Sequence, residues 1–225
     1  MPQELGVNDL IASRARSWRG RFVRSKEFAV AVAELAGLVA SPVFWTRKQG
    51  RGDGHSVLVI PGYSAGDLQS TPIRSWLKRI GYRSVKSGLD FNSGWSDEIV
   101  EALAQRAEAE FRGSGRRVTL IGHSLGGLQA RSVARRIPHA VRRLITLGAP
   151  LAFAGGTILP SVAIASIYVS ADLPFQPQAR ESHAENIEVR GSHGGLVVNR
   201  RVYALVADLL CRAGTHREEV VSEGI

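Results

Sequence analysis

From about residue 55 onward, short runs of apolar and β-branched residues alternate with longer segments in which apolar residues recur at helical spacing. The strand-like runs occupy residues 56–60, 82–85, 117–121, 143–147, 163–170 and 186–189. The helical segments occupy residues 71–80, 96–111, 125–137 and 196–212. A continuous apolar run is typical of a strand that is buried on both faces, as in a parallel sheet. The alternation therefore predicts a three-layer α/β/α sandwich, with a mostly parallel sheet of about six strands between two helical layers.

The composition fits one globular domain. A chain of 225 residues with 44% hydrophobic and 22% charged residues can bury a full core. The net charge of +9 comes mostly from arginine. No nucleic-acid-binding motif accompanies the basic residues, so we interpret them as a solvated surface. The single cysteine, Cys211, excludes an intramolecular disulfide and lies in an apolar helical run, where a buried position is expected.

Residues 1–50 differ in character from the rest of the chain. Residues 8–26 carry six basic side chains, and residues 28–39 have an apolar, alanine-rich helix pattern. A glycine-rich stretch at residues 49–54 reads as a flexible connection. We therefore predict an N-terminal helical extension over residues 1–50, followed by an α/β domain over 51–225.

The apolar window at residues 28–45 is short for a membrane span, and Glu34 near its middle would be costly in a bilayer. Residues 1–8 lack a basic region followed directly by an apolar stretch, the pattern that marks a secretory signal. We predict a cytoplasmic protein. Peripheral contact of residues 8–45 with an anionic membrane surface is a further hypothesis, because basic and apolar residues adjoin there.

A glycine-rich hexapeptide separates the strand predicted at residues 117–121 from the helix that follows it. It reads Gly122-His123-Ser124-Leu125-Gly126-Gly127. A Gly-x-Ser-x-Gly sequence between a strand and a helix is the signature of a nucleophile elbow, a strained turn that presents a serine hydroxyl above the sheet. The simpler interpretation is an ordinary glycine-rich turn that binds an anion at the helix start. His123 is interpreted as a residue that fills the strand end, because the turn should direct it away from Ser124.

A serine hydroxyl needs a base that removes its proton. His193 is the best placed of the six histidines, because it follows the strand predicted at residues 186–189 and directly precedes the last helix. The glycines on both sides of it suit a loop that must approach the serine closely. His55 and His139 fall at the opposite end of the predicted sheet, and the other two histidines outside the elbow lie in polar stretches. The simpler interpretation of His193 is a loop residue with no catalytic role.

The base in turn needs a carboxylate that orients its imidazole. Asp172 follows the strand predicted at residues 163–170 and keeps the order serine, acid, histidine along the chain. An alternative role for Asp172 is to form the turn before Pro174. The predicted triad is therefore Ser124, Asp172 and His193. Each member follows a predicted strand, and functional sites of open parallel sheets lie at that edge.

Two backbone amides are predicted to stabilise the oxyanion that forms during acyl transfer. One belongs to Leu125, which follows the serine, and the other to Tyr63, in the loop after the strand predicted at residues 56–60. The Ser64 amide is a weaker alternative to that of Tyr63. Asp67, further along the same loop, is expected to help set the turn before the next helix.

Together these segments resemble the α/β-hydrolase superfamily, and most closely its lipase and esterase branch, over residues 56–210. The motifs that carry the resemblance are Ile60-Pro61-Gly62-Tyr63, Gly122-His123-Ser124-Leu125-Gly126-Gly127, Leu147-Gly148-Ala149-Pro150 and Gly191-Ser192-His193-Gly194-Gly195. The resemblance implies a reduced α/β-hydrolase fold and hydrolysis of an acyl ester with no metal and no organic cofactor. The chain departs from larger members in two respects. The usual first two strands have no evident counterpart, and residues 151–162 are too few for a helical lid domain.

The resulting hypothesis is a lidless serine hydrolase that cleaves a small or lipid-like carboxylic ester through an acyl-enzyme intermediate. A thioesterase, an amidase or an acyltransferase would use the same triad, and the sequence favours none of these over another. A non-catalytic module that binds a membrane or a partner is the alternative outside enzymes. The acyl-chain length and the oligomeric state stay open.

Overall fold

The computed structural model describes the chain in four segments, residues 26–46, 52–149, 161–169 and 184–212. The α-helices in these segments are α1 (Lys26–Val39), α2 (Pro42–Trp45), α3 (Thr71–Arg79), α4 (Asp97–Ser114), α5 (Leu125–Arg136) and α6 (Arg200–Cys211). The strands are β1 (Ser56–Ile60), β2 (Arg83–Lys86), β3 (Val118–His123), β4 (Val141–Leu147), β5 (Ala163–Val169) and β6 (Glu185–Val189). A 3₁₀ helix, Gly194–Val198, precedes α6. Within the described segments, every helix is too short or too polar to cross a bilayer.

The described strands form one sheet in the order β2-β1-β3-β4-β5-β6, and each neighbouring pair runs parallel. The predicted sandwich around a parallel sheet of about six strands is thereby confirmed. From β1 the chain first adds β2 on one side and then returns to add β3 on the other. Where the strand order reverses in this way, the loops after the two adjacent strands run in opposite directions and leave a crevice at the carboxyl ends of the strands. The fold therefore places a site above β1 and β3.

Helices cover both faces of the sheet. On one face, α3 and α6 pack around Trp76 and Tyr203, which are fully buried and whose ring centroids lie 4.7 Å apart. On the other face, α4 and α5 pack over a second apolar cluster that includes Leu103 and Val133. Large apolar side chains buried on both faces supply most of the stabilisation of such a domain.

The first two described helices, α1 and α2, pack into the first of these clusters. Leu38 of α1 is fully buried there, beside Trp76 and Tyr203. The Trp76 indole Nε1 donates a hydrogen bond to the carbonyl of Val43, in α2, at 2.9 Å. The described part of the extension thus shares a core with the α/β domain. Residues 47–51 lie outside the described residues, and the division at residue 50 stays a prediction.

Three local predictions are wrong. The helix predicted over residues 96–111 continues to Ser114, because the left-handed residue that ends it is Gly115, at φ 67°. The last helix is divided in two, because the Asn199 side chain accepts hydrogen bonds from the first amides of α6 and starts a new helix there. Cys211 is exposed, because it is the last residue of α6.

Candidate active site

Ser124 lies in the turn between β3 and α5, at the carboxyl edge of the sheet. Its backbone angles, φ 52° and ψ −119°, are ones that a residue with a side chain rarely adopts. Such strain costs about 1–3 kcal/mol and persists only where the surrounding structure enforces it. Here the Ser124 amide donates to the Leu147 carbonyl at 2.9 Å, and the Gly127 amide donates to the Ser124 carbonyl at 3.0 Å. The turn therefore has the strained backbone of a nucleophile elbow.

Three glycines of this turn lie where any larger residue would collide with its neighbours. A Cβ atom on Gly122 would overlap the backbone of Gly126. One on Gly126 would overlap the carbonyl of Ile60, at the end of β1, and one on Gly127 would overlap the side chain of Ala149. Because these positions carry no side chain, α5 can begin directly against β1 and β3 and hold the serine at the sheet edge.

The loop after β1 lies against the serine. A Cβ atom on Gly62 would stand 3.3 Å from the Cβ atom of Ser124. The next residue, Tyr63, packs on a small apolar cluster that contains Leu125 and Leu128. Leu125 occupies the first position of α5, where an amide has no intrahelical acceptor. The two amides predicted to bind an oxyanion, those of Tyr63 and Leu125, thus belong to segments that meet at Ser124.

Ser64, the weaker alternative to Tyr63 in the sequence prediction, lies in the same loop. Its amide donates to the carbonyl of Asn92 at 2.9 Å and is therefore already engaged. The Asn92 amide donates back across the same gap to the Ala65 carbonyl at 2.7 Å. This pair of backbone bonds joins the loop after β1 to the segment that follows β2.

A buried pair of side-chain amides, Asn92 and Gln129, braces the same loop. Both residues are 0% exposed. The Asn92 Nδ2 donates to the Gln129 Oε1 at 2.9 Å, and the Gln129 Nε2 donates to the Asn92 Oδ1 at 3.1 Å. The Asn92 Nδ2 also donates to the Pro61 carbonyl at 2.8 Å. The sequence does not predict either residue as part of the site. The one local signal for this pair is Gln129, a glutamine in the apolar first turns of α5.

Asp67 has the structural role expected of it and adds a wider one. Its carboxylate accepts hydrogen bonds from the Ser87 amide at 2.9 Å and from the Gly88 amide at 2.9 Å. Its carbonyl accepts from the Arg74 guanidinium at 2.7 Å. Asp67 therefore joins the start of α3 to the segment after β2 and stabilises the loop that carries Tyr63.

His193 lies between β6 and the 3₁₀ helix, at the same edge of the sheet as Ser124. The His123 Nε2 donates to the His193 carbonyl at 3.0 Å, and the two rings are 5.1 Å apart. Gly148 leaves room for the imidazole, because a Cβ atom there would lie 2.9 Å from the His193 Nδ1. The carbonyl of Leu147, the residue before Gly148, accepts a hydrogen bond from the Ser124 amide. The sequence does not predict this contact between His123 and the loop that carries His193.

Glu34 of α1 also contacts this loop. Its carboxylate accepts hydrogen bonds from the Ser192 hydroxyl at 2.6 Å and from the Asn199 Nδ2 at 2.8 Å. The sequence marks Glu34 only as a charge in the middle of an apolar window. That isolated charge is a signal that could point to a buried polar partner, but it does not identify which one.

The other predicted residues fall in different places. Asp172 lies outside the described residues, and its role as the acid stays a prediction. His55 is buried at the opposite sheet edge, where its Nδ1 contacts the Asp53 carboxylate at 2.6 Å and its Nε2 contacts the Thr119 hydroxyl at 3.1 Å. Burial lowers the pKa of His55, although the hydrogen bond and charge of Asp53 act in the opposite direction. The neutral ring then donates to Asp53 and accepts from Thr119.

His139 is exposed at that same opposite edge, and its Nε2 contacts the Glu108 carboxylate at 2.9 Å. In the part of the chain that the structure describes, no group of three or more histidine, cysteine, aspartate or glutamate side chains could hold a metal ion. Among the described residues, a serine hydroxyl, an imidazole and backbone amides lie at this edge of the sheet.

Comparisons with known proteins bear on the fold. A family model described as "alpha/beta hydrolase fold" matches residues 96–172, a stretch that contains Ser124 and Asp172. No curated protein sequence matches significantly.

Solved structures with the same architecture include three from microorganisms. One, described as a predicted CIB-like hydrolase from Thermoplasma acidophilum, has a TM-score of 0.53 and 17% identity over 70% of this chain and 86% of that one. A lipase-esterase related protein from Clostridium acetobutylicum has a TM-score of 0.55 and 14% identity, covering 72% and 96%. The mature form of a Bacillus licheniformis lipase has a TM-score of 0.52 and 13% identity, covering 70% and 92%. At identities this low, the similarity concerns the fold.

Proposed function

We propose that this chain, which has the α/β-hydrolase fold, is a serine hydrolase that cleaves a carboxylic ester through an acyl-enzyme intermediate. The fold agrees with the resemblance that the sequence motifs carry. The observation that carries the proposal is the convergence of three segments at one sheet edge. These are the strained Ser124 turn, the loop of Gly62 and Tyr63, and the loop of His193. They supply a nucleophile, amide donors and a base.

In the proposed acylation step, His193 accepts the proton of the Ser124 hydroxyl as its oxygen attacks the ester carbonyl. The carbonyl oxygen becomes an oxyanion, to which the amides of Tyr63 and Leu125 donate hydrogen bonds. His193 then transfers its proton to the departing alkoxide, and the acyl group remains on Ser124. Asp172 is proposed to hold the imidazole in the tautomer that this proton transfer needs.

In the deacylation step, His193 removes a proton from a water molecule as the water oxygen attacks the acyl-enzyme. The same amides bind the second oxyanion. Collapse of this intermediate returns the proton to Ser124 and releases a carboxylic acid. Each step uses groups of the chain and water alone, so the proposed hydrolysis is balanced without a further reactant.

An apolar surface beside the serine supports an acyl substrate. The surface is formed by Tyr63 and Trp95, which are partly exposed and pack on a small buried cluster of Leu125, Leu128 and Ala149 next to the elbow. Apolar side chains of this kind suit a hydrocarbon chain better than a charged leaving group. Two of the structural neighbours are described as a lipase and as a lipase-esterase related protein, and they favour an ester over a thioester or an amide in this proposal.

The test is hydrolysis of short p-nitrophenyl esters by the full chain. We expect turnover by the wild type and a loss of about 10⁴- to 10⁶-fold in Ser124→Ala and in His193→Ala, by analogy with other serine hydrolases. Ser114→Ala, an exposed serine at the end of α4, is the matched control and should retain full activity. A fluorophosphonate probe should label the wild type and not Ser124→Ala. Equal turnover in the wild type and Ser124→Ala would refute the proposal.

One observation favours a second role, peripheral binding to an anionic membrane. Val32, Leu35 and Val39 lie on one face of α1 and are 50%, 41% and 45% exposed. In the sequence, residues 8–26 carry six basic side chains, the last of which, Lys26, begins this helix. A basic segment beside an exposed apolar helix face is the combination that binds anionic bilayers.

The membrane role predicts that the full chain co-sediments with phosphatidylglycerol vesicles and not with phosphatidylcholine vesicles. Serine at all three apolar positions should reduce this co-sedimentation, since it removes the exposed apolar surface and keeps the basic charge. Unchanged co-sedimentation of the triple variant, or none by the wild type, would contradict the membrane role.

A further inference from the structure

We infer that Glu34 of α1 is a positioning residue that holds the His193 loop, residues 190–199, in the geometry that catalysis requires. The inference deepens the proposed function and rests on it, because the position of His193 matters for the rate only if this residue is the base. Glu34 stands alone among the apolar residues of the 28–39 window.

The Glu34 carboxylate contacts both ends of the loop. The Ser192 hydroxyl donates to it at 2.6 Å and the Ser192 amide at 3.3 Å. The Asn199 Nδ2 donates to it at 2.8 Å. Ser192 directly precedes His193, and Asn199 caps α6 on the far side of the 3₁₀ helix. Hydrogen bonds to an ionised acceptor are about twice as strong as those between neutral groups, so one carboxylate fixes the loop at two points.

Two glycines beside His193 make room for this carboxylate. A Cβ atom on Gly191 or on Gly195 would overlap a Glu34 carboxylate oxygen. The sequence suggests that glycines around His193 serve a close approach to the serine. These two positions instead accommodate Glu34, and the imidazole is accommodated by Gly148, in the loop after β4.

The carboxylate is carried on a helix that is itself well anchored. Leu38, one turn after Glu34, is fully buried in the core around Trp76 and Tyr203. On its other side, the histidine loop is restrained by the hydrogen bond from His123 to the His193 carbonyl. The loop is therefore held between β3 and α1, and Ser192, which joins it to α1, is only 8% exposed.

Loss of the carboxylate should affect turnover more than substrate binding. The loop would keep the His123 contact and lose its attachment to α1, so the imidazole could move relative to Ser124. A misplacement of about 1 Å at a reacting group costs about 10²-fold in rate. We expect Glu34→Ala to lower kcat by about 10- to 100-fold and to leave KM within about two-fold, because no substrate contact is removed.

The experiment uses the full chain and measures kcat and KM on a p-nitrophenyl ester together with amide hydrogen exchange. Glu34→Gln keeps one acceptor oxygen and should recover part of the lost kcat. Ser192→Ala removes the hydroxyl that donates to Glu34 at 2.6 Å and accepts from the Gly195 amide at 3.1 Å, and it should also lower kcat. Glu101→Ala, an exposed carboxylate on α4, is the matched control and should behave as the wild type. In Glu34→Ala, exchange should accelerate within residues 190–199 and not in the sheet.

A wild-type kcat in Glu34→Ala would overturn the inference. So would a loss accompanied by faster exchange throughout the sheet, since that would show a merely structural role. If Glu34→Ala does not fold, an unchanged kcat in both Glu34→Gln and Ser192→Ala overturns it, and a reduced kcat at constant KM supports it. If the wild type hydrolyses no ester, the proposed function fails separately. In that case, faster amide exchange in Glu34→Ala that is confined to residues 190–199 supports the contact between Glu34 and the loop. Unchanged exchange in this variant overturns it.

Discussion

Replacement of Asn92 by alanine should weaken both the stability of the domain and its catalysis. The Asn92 side chain links the loop after β1, the segment after β2 and helix α5 at a point with no exposed surface. Alanine removes three hydrogen bonds there, one to the Pro61 carbonyl and two with the Gln129 amide. The backbone bonds of residue 92 to Ser64 and Ala65 remain.

The magnitude follows from the groups that lose a partner. The Pro61 carbonyl and the Gln129 Oε1 lose the donor that Asn92 supplies, whereas the Gln129 Nε2 keeps the Gly94 carbonyl at 2.9 Å. A buried polar group deprived of its hydrogen bond costs about 1–3 kcal/mol, so two acceptors cost about 2–6 kcal/mol of unfolding free energy. A displaced Tyr63 amide would also lower kcat, with the loss of an entire oxyanion donor, about 10²- to 10³-fold, as the upper limit.

Urea unfolding and p-nitrophenyl ester kinetics on the same preparations measure both effects. Asn186→Ala, an exposed asparagine on β6, is the matched control and should stay within about 0.5 kcal/mol of the wild type. In the double variant Asn92→Ala/Gln129→Ala, the unpaired Gln129 oxygen is gone. Its destabilisation should therefore be smaller than the sum of the two single variants. An Asn92→Ala variant as stable as the control, or strictly additive effects, would refute this reasoning.

Three further predictions concern other positions. The unfolding free energy should fall as the pH drops below about 6.5, because burial lowers the pKa of His55 in the folded chain and the unfolded chain takes up the proton first. A flat profile in urea titrations between about pH 8 and pH 5 would contradict it. Gly113→Ala should raise the melting temperature by stabilising α4 by about 0.5–1 kcal/mol, since its Cβ would meet no atom within 4 Å, and a lower melting temperature would count against it. Gly148→Ala should lower kcat, because its Cβ would press on the His193 ring at a residue with φ 63°, and unchanged kinetics would exclude that contact.

The sheet could be predicted from the sequence because each buried strand is a local feature. In β1, for example, Ser56 is followed by four consecutive β-branched or leucine residues, and all five positions are buried. The elbow could be predicted equally well. Its glycines are required by the contacts between β3, α5 and β1 that this turn makes. Local composition is enough in both cases, because the residues that matter are adjacent in the sequence.

The supports of the site could not be predicted in the same way. Asn92 and Gln129 are 37 residues apart, and Glu34 and Ser192 are 158 apart, so neither pair leaves a pattern that a window of sequence can show. The start of a new helix at Asn199 could not be predicted either, although it is a more local feature. Apolar spacing continues past it, and its effect as a cap outweighs that spacing. The acid of the triad stays a sequence prediction, because Asp172 lies outside the described residues.

Helices α1 and α2 offer a support for the proposed catalytic loop in a chain whose sequence has no evident counterpart of the first two strands. A histidine on an irregular segment needs restraint from at least two directions, because side-chain and loop freedom otherwise oppose a fixed geometry. Here β3 supplies one restraint through His123, and α1 supplies the other through Glu34. The helix that carries Glu34 is fixed in turn by Leu38, within the core that α3 and α6 form. Packing of the extension and placement of the proposed base are therefore coupled, and a substitution at Leu38 that loosens α1 should lower kcat before it unfolds the sheet.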